Sequence, residues 1–181
     1  CKSNLRHVPL AVLQQDFGVR YNPARMSSPE QLEPDSVFFA DSQDLFLHGI
    51  LGPRRMGTCV SMPVLYVAVG RRLGYSLKLV TAKGHLFARW EGAERFNIEG
   101  TNEGLTCHDD DHYRTWPYPL SAAEQASGHY LKSLTPEEER ALFLSTRGQC
   151  LLHNGRLAEA REAFGQAVQL TPHWPEHAWM L

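Results

Sequence analysis

Apolar and polar positions divide the chain into stretches of different period. From Val60 to Leu73 apolar residues fall on nearly every side of a helical projection, which predicts a buried helix. Arg71, Arg72 and Gly74 supply the stop signals, and Pro63 is tolerated only in the first turn, where its missing N–H is not needed. Between Ser76 and Glu99 the pattern shortens to partial alternation in β-favouring residues. It predicts strands at Ser76–Ala82, His85–Trp90 and Arg95–Glu99, with Lys83-Gly84 and Glu91–Glu94 as turns. From Ser121 onward the pattern is helical again. Thr135-Pro136-Glu137-Glu138 combines an N-cap, a proline at the first helical position and a capping-box glutamate.

The N-terminal part is less regular. Residues 8–17 predict a short helix with Leu10, Leu13 and Phe17 near one face. Tyr21 to Asp35 is rich in Pro and Ser and predicts a surface loop, with Ser28-Pro29-Glu30-Gln31 capping a brief turn. Ser42–Leu51 carries Leu45, Phe46, Leu47 and Ile50 on one predicted helix, which feeds the loop Gly52-Pro53-Arg54-Arg55. Arg54 and Arg55 are expected to be solvated. At the other end, Leu144, Gly148, Leu151, Gly155, Ala160, Phe164, Ala167 and Pro172 fall at the spacing of one tetratricopeptide repeat, about 141–174. A single repeat cannot cover its own apolar faces. It must pack on the preceding domain, on Pro175–Leu181 or on further repeats. The fold class expected is α+β: a central helix on a small antiparallel sheet, followed by an all-α tail. The expected boundaries are 1–120 and 121–181.

Within this frame one cysteine occupies a particular position. Gly57-Thr58-Cys59-Val60-Ser61 places Cys59 at the start of the buried helix, where the positive end of the helix dipole favours a thiolate. Period two puts His85, Phe87 and Arg89 on one face of their strand, and Arg95, Asn97 and Glu99 together on the next. A hairpin around Glu91–Glu94 brings His85 and Glu99 near each other. A thiol facing a histidine that is held by a third polar group is a nucleophile, base and orienter set. The backbone N–H of Cys59 is the expected oxyanion donor.

Cys59, then Lys83-Gly84-His85-Leu86-Phe87-Ala88-Arg89-Trp90, then Phe96-Asn97-Ile98-Glu99-Gly100-Thr101-Asn102 resembles the transglutaminase-like superfamily of the papain-type fold. It is most similar to the bacterial branch with a tetratricopeptide tail. The resemblance implies a Cys-His-acid order, with Glu99 at the acid and Thr101 in the turn after it. The family acid is Asp, so Glu99 is one methylene longer; Asn97 is the alternative orienter. The implied catalytic residues are thus Cys59, His85 and Glu99, with no cofactor and no metal. The implied activity is thiol-dependent acyl transfer on peptide or glutamine-type amides, as a protease, amidase, deamidase or transglutaminase. The alternative is a catalytically inactive peptide-binding or assembly module of the same fold. A Trp-Pro after an acidic-aromatic element implies packing on the core, with Asp111, His112 and Tyr113 as candidates for the substrate side.

The 181 residues, 43% of them hydrophobic, suffice for a substantial core. A net charge of −2 points away from nucleic acid and from anionic membranes as general partners, and no apolar run reaches the length of a membrane span. The expected partners are a protein or peptide substrate and a protein bound through the tetratricopeptide helices. Cys1, Cys59, Cys107 and Cys150 show no Cys-x-x-Cys spacing, so no disulfide scaffold is expected. Cys107-His108-Asp109-Asp110-Asp111-His112 is dense in metal-ligating types but lacks an i, i+4 histidine pair, and reads as a solvated polar loop. The chain opens at Cys1 and ends at Ala178–Leu181 in what reads as another helix, so an excised fragment is expected. A cytoplasmic location is favoured, and a lipid-anchored one if Cys1 is a processed lipoprotein terminus.

Overall fold

A computed structural model describes residues 8–26, 37–101 and 106–174. The readings made on Cys1, on Ser28–Gln31 and on Pro175–Leu181 lie outside the described residues, as does the side chain of Leu10. The centre of the fold is α4 (Ser61–Arg72) laid on an antiparallel sheet of β3 (Leu77–Ala82), β4 (His85–Glu91) and β5 (Arg95–Ile98), in that order. The register pairs Leu79 with Ala88 and Ala88 with Ile98, so one face of all three strands is apolar. Leu77, Leu79, Leu86, Ala88 and Ile98 share one core with Met62, Leu65 and Tyr66 of α4. The opposite face carries Val80, Ala82 and Phe87 and is closed by Tyr113 of α5 (Asp110–Thr115), with Trp116 and Leu131 at the margin. The free edge of β3 is covered, since Leu131 and Leu134 donate backbone hydrogen bonds to Thr81 and Leu79.

Several elements differ from the sequence reading. The helix expected over 42–51 is two short ones, α2 (Ser42–Leu45) and α3 (Leu47–Leu51), separated by extended Phe46. The two turns cross so closely that a Cβ on Gly49 would lie 1.9 Å from the Gln43 carbonyl oxygen. The first helix, α1, spans Val8–Gln15, and Phe17 beyond it is mostly exposed rather than part of a packed face. The segment read as a polar loop at 107–112 runs into α5, because Asp109 caps it through the His112 N–H. Arg54 and Arg55 are not simply solvated: Arg54 bridges Asp41 and Asp44, and Arg55 donates to the Phe17 carbonyl. Cys107 is disulfide-bonded, whereas Cys59 and Cys150 are free. Sequence spacing does not reveal such a pairing, which depends on distance in space.

The C-terminal unit is α7 (Pro136–His153) packed on α8 (Leu157–Leu170). The capping box of α7 is complete, with Thr135 and Glu138 satisfying each other's backbone N–H groups. At the crossing Phe164 fills the space over Gly148, where a Cβ would stand 2.4 Å from its ring. The outer side of α7 meets the first domain. Arg71 of α4 makes a two-pronged bond to Glu139, Asn154 donates to the Ala40 carbonyl, and Leu142, Phe143 and Trp174 join the central core. The repeat therefore covers its second face with the α/β domain. Short helix α6 (Ala122–Ser127), held by its own capping box, leads into this unit.

Phe164→Ala removes the side chain on which α7 and α8 depend and is expected to destabilise the chain by about 3–5 kcal/mol. Leu157→Ala, at a largely exposed position, should stay within about 0.5 kcal/mol. Urea unfolding followed by far-ultraviolet circular dichroism compares the two; equal midpoints would refute the assigned packing.

Candidate active site

The residues around Cys59 are fixed by a turn that starts before the regular helix does. The Thr58 carbonyl already accepts a helical bond from the Met62 N–H at 2.9 Å. Pro63 has no N–H to give the Cys59 carbonyl, so the uninterrupted ladder begins only at Ser61. Thr58 accepts from the Val60 N–H at 3.2 Å, and Ser61 accepts from the Thr58 N–H at 3.0 Å. This is a capping box with serine in place of the usual glutamate or glutamine. Both hydroxyls donate onward to the Asp44 carbonyl at 2.8 Å. The Asp44 carboxylate, itself buried, accepts from Asn22, Arg25 and Arg54.

These bonds draw the N-terminal segment onto the site. Strand β1 (Arg20–Tyr21) runs parallel to β2 (Met56–Gly57), which carries Tyr21 to the cysteine. The Tyr21 hydroxyl donates to the Arg25 carbonyl at 2.7 Å and accepts the Cys59 backbone N–H at 3.2 Å. The N–H expected to serve as a free oxyanion donor is thus already engaged. Only the tertiary pairing of β1 with β2 puts a hydroxyl there.

His85 is the first residue of β4, at the end of the sheet, and its side chain is buried. Its Nε2 lies 2.8 Å from Glu99 Oε2, and it also shares a hydrogen bond with the Cys59 thiol, for which Nδ1 is the remaining ring nitrogen. Glu99, just past β5, sits diagonally across from His85, because the register places Ala88 opposite Ile98. Its carboxylate accepts from His85 and the Tyr113 hydroxyl at 2.8 Å, the Gly100 N–H at 2.9 Å and the Thr101 N–H at 3.0 Å. Asn97 is committed elsewhere: it accepts from Arg89 at 2.7 Å and donates to Asp110 and to the His108 carbonyl. Cys59, His85 and Glu99 come together; Asn97 does not join them.

Tyr113, a candidate for the substrate side in the sequence, is instead fully buried behind Glu99. The signal that could have found it is an aromatic one turn after an Asp cap, on a helix too short to have any other anchor. Asp111 is exposed and pairs with Arg114, while His112 stacks on His108 and Trp116. Trp116 meets the His85 ring edge-on at 4.7 Å. Gly100 allows the turn after Glu99 to sit on Tyr66, since a Cβ there would be 2.5 Å from that ring.

Burial disfavours a charged imidazole at His85, but its bonds to Cys59 and Glu99 and the Glu99 charge outweigh that and raise its pKa to about 9. Burial would likewise raise Glu99; the hydrogen bond and charge of His85, with Tyr113 and Thr101, hold it below the ordinary value. The arrangement can therefore keep an imidazolium and a carboxylate paired at neutral pH. Beside Cys59 and His85 opens a cavity of about 270 Å³, with Val60 and Ala82 also on its wall.

The two shifts predict how stability depends on pH. Raising the folded-state pKa of His85 from 6.5 to about 9 adds stability that is full below about pH 6.5 and disappears as pH rises through about 9. The Glu99 contribution is present above its ordinary pKa of 4.5 and is lost as pH falls through the lowered value. Thermal melts should therefore show a fall in stability, on the order of 3 kcal/mol, between pH 6 and pH 9.5. In Glu99→Gln that fall should shrink to less than half, and an unchanged slope would contradict the assigned ion pair.

A family model for the transglutaminase-like superfamily matches residues 25–139, and a tetratricopeptide repeat model matches residues 141–174. No curated protein and no solved structure matches the chain significantly. The first match covers most of the chain and takes in α4, the whole sheet and the Cys59, His85 and Glu99 positions. This chain belongs to the transglutaminase-like superfamily and carries a tetratricopeptide repeat behind that domain.

Proposed function

We propose that the protein is a thiol-dependent acyl-transfer enzyme acting on peptide or glutamine-type amides. In this reading Cys59 is the nucleophile, His85 the acid–base and Glu99 the group that orients the imidazole. The observation that carries it is the position of His85, bonded on one side to the Cys59 thiol and on the other to a buried carboxylate, beside a cavity. Tyr113, Gly100 and Thr101 act as positioning groups, since they fix the carboxylate that fixes the ring.

The Cys59 sulfur, its proton held by His85, attacks the amide carbon and forms a C–S bond. The carbonyl oxygen takes up the negative charge and displaces the Tyr21 hydroxyl from the Cys59 N–H. When the tetrahedral species collapses, the C–N bond breaks and His85 gives its proton to the departing amine. A thioester remains. His85 then removes a proton from water, or from an amine, as that group attacks the thioester. The C–S bond breaks, and the proton returns to sulfur. Water as acceptor makes a protease, amidase or deamidase; an amine makes a transglutaminase. The tetratricopeptide unit supports a protein partner or a protein substrate.

Two observations favour a second reading, an inactive peptide-binding or assembly module. The Cys59 N–H is occupied by Tyr21, and Cys59 itself is buried. Iodoacetamide alkylation followed residue by residue by mass spectrometry separates the two. Burial pushes the Cys150 thiol up, so it serves as the slow internal reference. Cys59 should be modified at least about tenfold faster than Cys150 at pH 6.5, and His85→Ala should remove most of that advantage. Equal rates at the two sulfurs, unaffected by His85→Ala, would leave the inactive module standing.

A further inference from the structure

The cavity beside Cys59 has a wall that does not come from the transglutaminase-like domain. One side is the β3–β4 turn and the start of α4, with Ala82, His85 and Val60. The other side is α7 of the tetratricopeptide unit, through Leu142, Ser145, Thr146 and Gln149, with Trp174 following α8. Ser145 and Thr146 stand three and four residues after Leu142 and four and three before Gln149, so one helical stripe faces the cleft. The same helix is locked to the first domain by the Arg71–Glu139 pair near its start and by the Asn154 bond to Ala40 at its end. Between those two anchors the helix cannot swing away without breaking one of them. The repeat is therefore part of the cleft and not an appendage beside it.

The lining narrows what the cleft accepts. Among the described residues no Asp, Glu, Lys or Arg contributes to it; apart from Cys59, Thr81, Tyr130, Ser145, Thr146, Gln149 and the histidines, the wall is aliphatic and aromatic. Placing a charge there would strip its water, and the cation on the wall, His85, is already paired with Glu99. At about 270 Å³ the space falls below the roughly 300–1,000 Å³ of sites for drug-sized ligands, which suits one side chain of a longer substrate.

We propose that α7 of the tetratricopeptide unit forms the specificity pocket of the Cys59 centre. The pocket receives an uncharged, apolar or aromatic side chain flanking the attacked amide. This assignment rests on the reading of Cys59 as the reacting group. It makes the repeat a substrate-selecting element of the enzyme. A substrate bearing an acidic or basic residue at that position is rejected.

Two small electrophiles test it on the full chain: N-benzyl-2-chloroacetamide and its 4-carboxybenzyl analogue. In each the Cys59 sulfur displaces chloride and forms a thioether, so the two differ only in the charge presented to the pocket. The ratio of their alkylation rates at Cys59 is divided by the same ratio for N-acetylcysteine. The benzyl compound should be favoured at least about tenfold. Gln149→Lys and Leu142→Lys place a cation on the α7 wall and should bring the ratio down to about one or invert it. Arg147→Ala, on the exposed side of the same helix, should leave it unchanged.

A corrected ratio within about twofold of one in the unaltered chain overturns the proposal. So does a high ratio that neither lysine variant changes. If one lysine variant fails to fold, by its circular dichroism, the other and the unaltered chain still decide. The ratio is taken on a single sulfur, so it is independent of how reactive that sulfur is. Slow iodoacetamide alkylation that ignores His85→Ala would overturn the catalytic reading, while this ratio would still report on the pocket.

Discussion

A carboxylate buried without solvation is tolerated only when donors replace the water, and Glu99 has four of them. Each donor comes from a different piece of the fold or from the turn that follows the acid. His85 belongs to β4, Tyr113 to α5, and the Gly100 and Thr101 amides to the turn leaving β5. Satisfying this one group fixes how the sheet, the short helix and the turn meet. It also orients the imidazole through the bond at Nε2. Glu99 lies just past the last residue of β5. From there it reaches His85 diagonally across the register.

Asp44 plays the matching part on the cysteine side. Its backbone carbonyl holds the two hydroxyls that cap the start of α4, and its side chain gathers Asn22, Arg25 and Arg54. The N-terminal segment thereby becomes a support for the turn carrying Cys59. It also brings Tyr21 onto the Cys59 N–H. Two buried acidic residues thus support the site, Glu99 through the histidine and Asp44 through the turn that carries Cys59. Both are more demanding than apolar packing, since loss of a single donor leaves a buried charge partly unpaired.

The tetratricopeptide helices resolve a problem of surface. One repeat exposes an apolar face unless neighbours cover it, and here the α/β domain is the neighbour. Leu142, Phe143 and Trp174 enter the central core, and the chain leading into α7 is itself hydrogen-bonded along the edge of β3. Covering the sheet edge and covering the repeat are achieved by the same stretch of chain. Its consequence for chemistry is that the wall facing Cys59 belongs to a unit that reads, in sequence, as separate.

The amino-acid sequence alone determined the elements with strong periodic or capping signals. The all-round apolar run ended by Arg71, Arg72 and Gly74 gives α4. The alternating run gives three strands within a residue or so of their observed ends. Thr135-Pro136-Glu137-Glu138 gives the start of α7, and Gly148 and Phe164 give its crossing with α8. These signals are local, because the backbone bonds and side-chain faces they report lie within a few residues of each other. Period two was enough to put His85 and Glu99 on one side of adjacent strands. What tertiary structure decided depends on residues distant in the chain. Asn97 went to Arg89 and Asp110, Tyr21 to the Cys59 N–H, Tyr113 to the back of Glu99, and Ser145 and Gln149 to the cleft. A polar side chain satisfies its hydrogen bonds with whichever group folding brings near, and no local pattern encodes that choice.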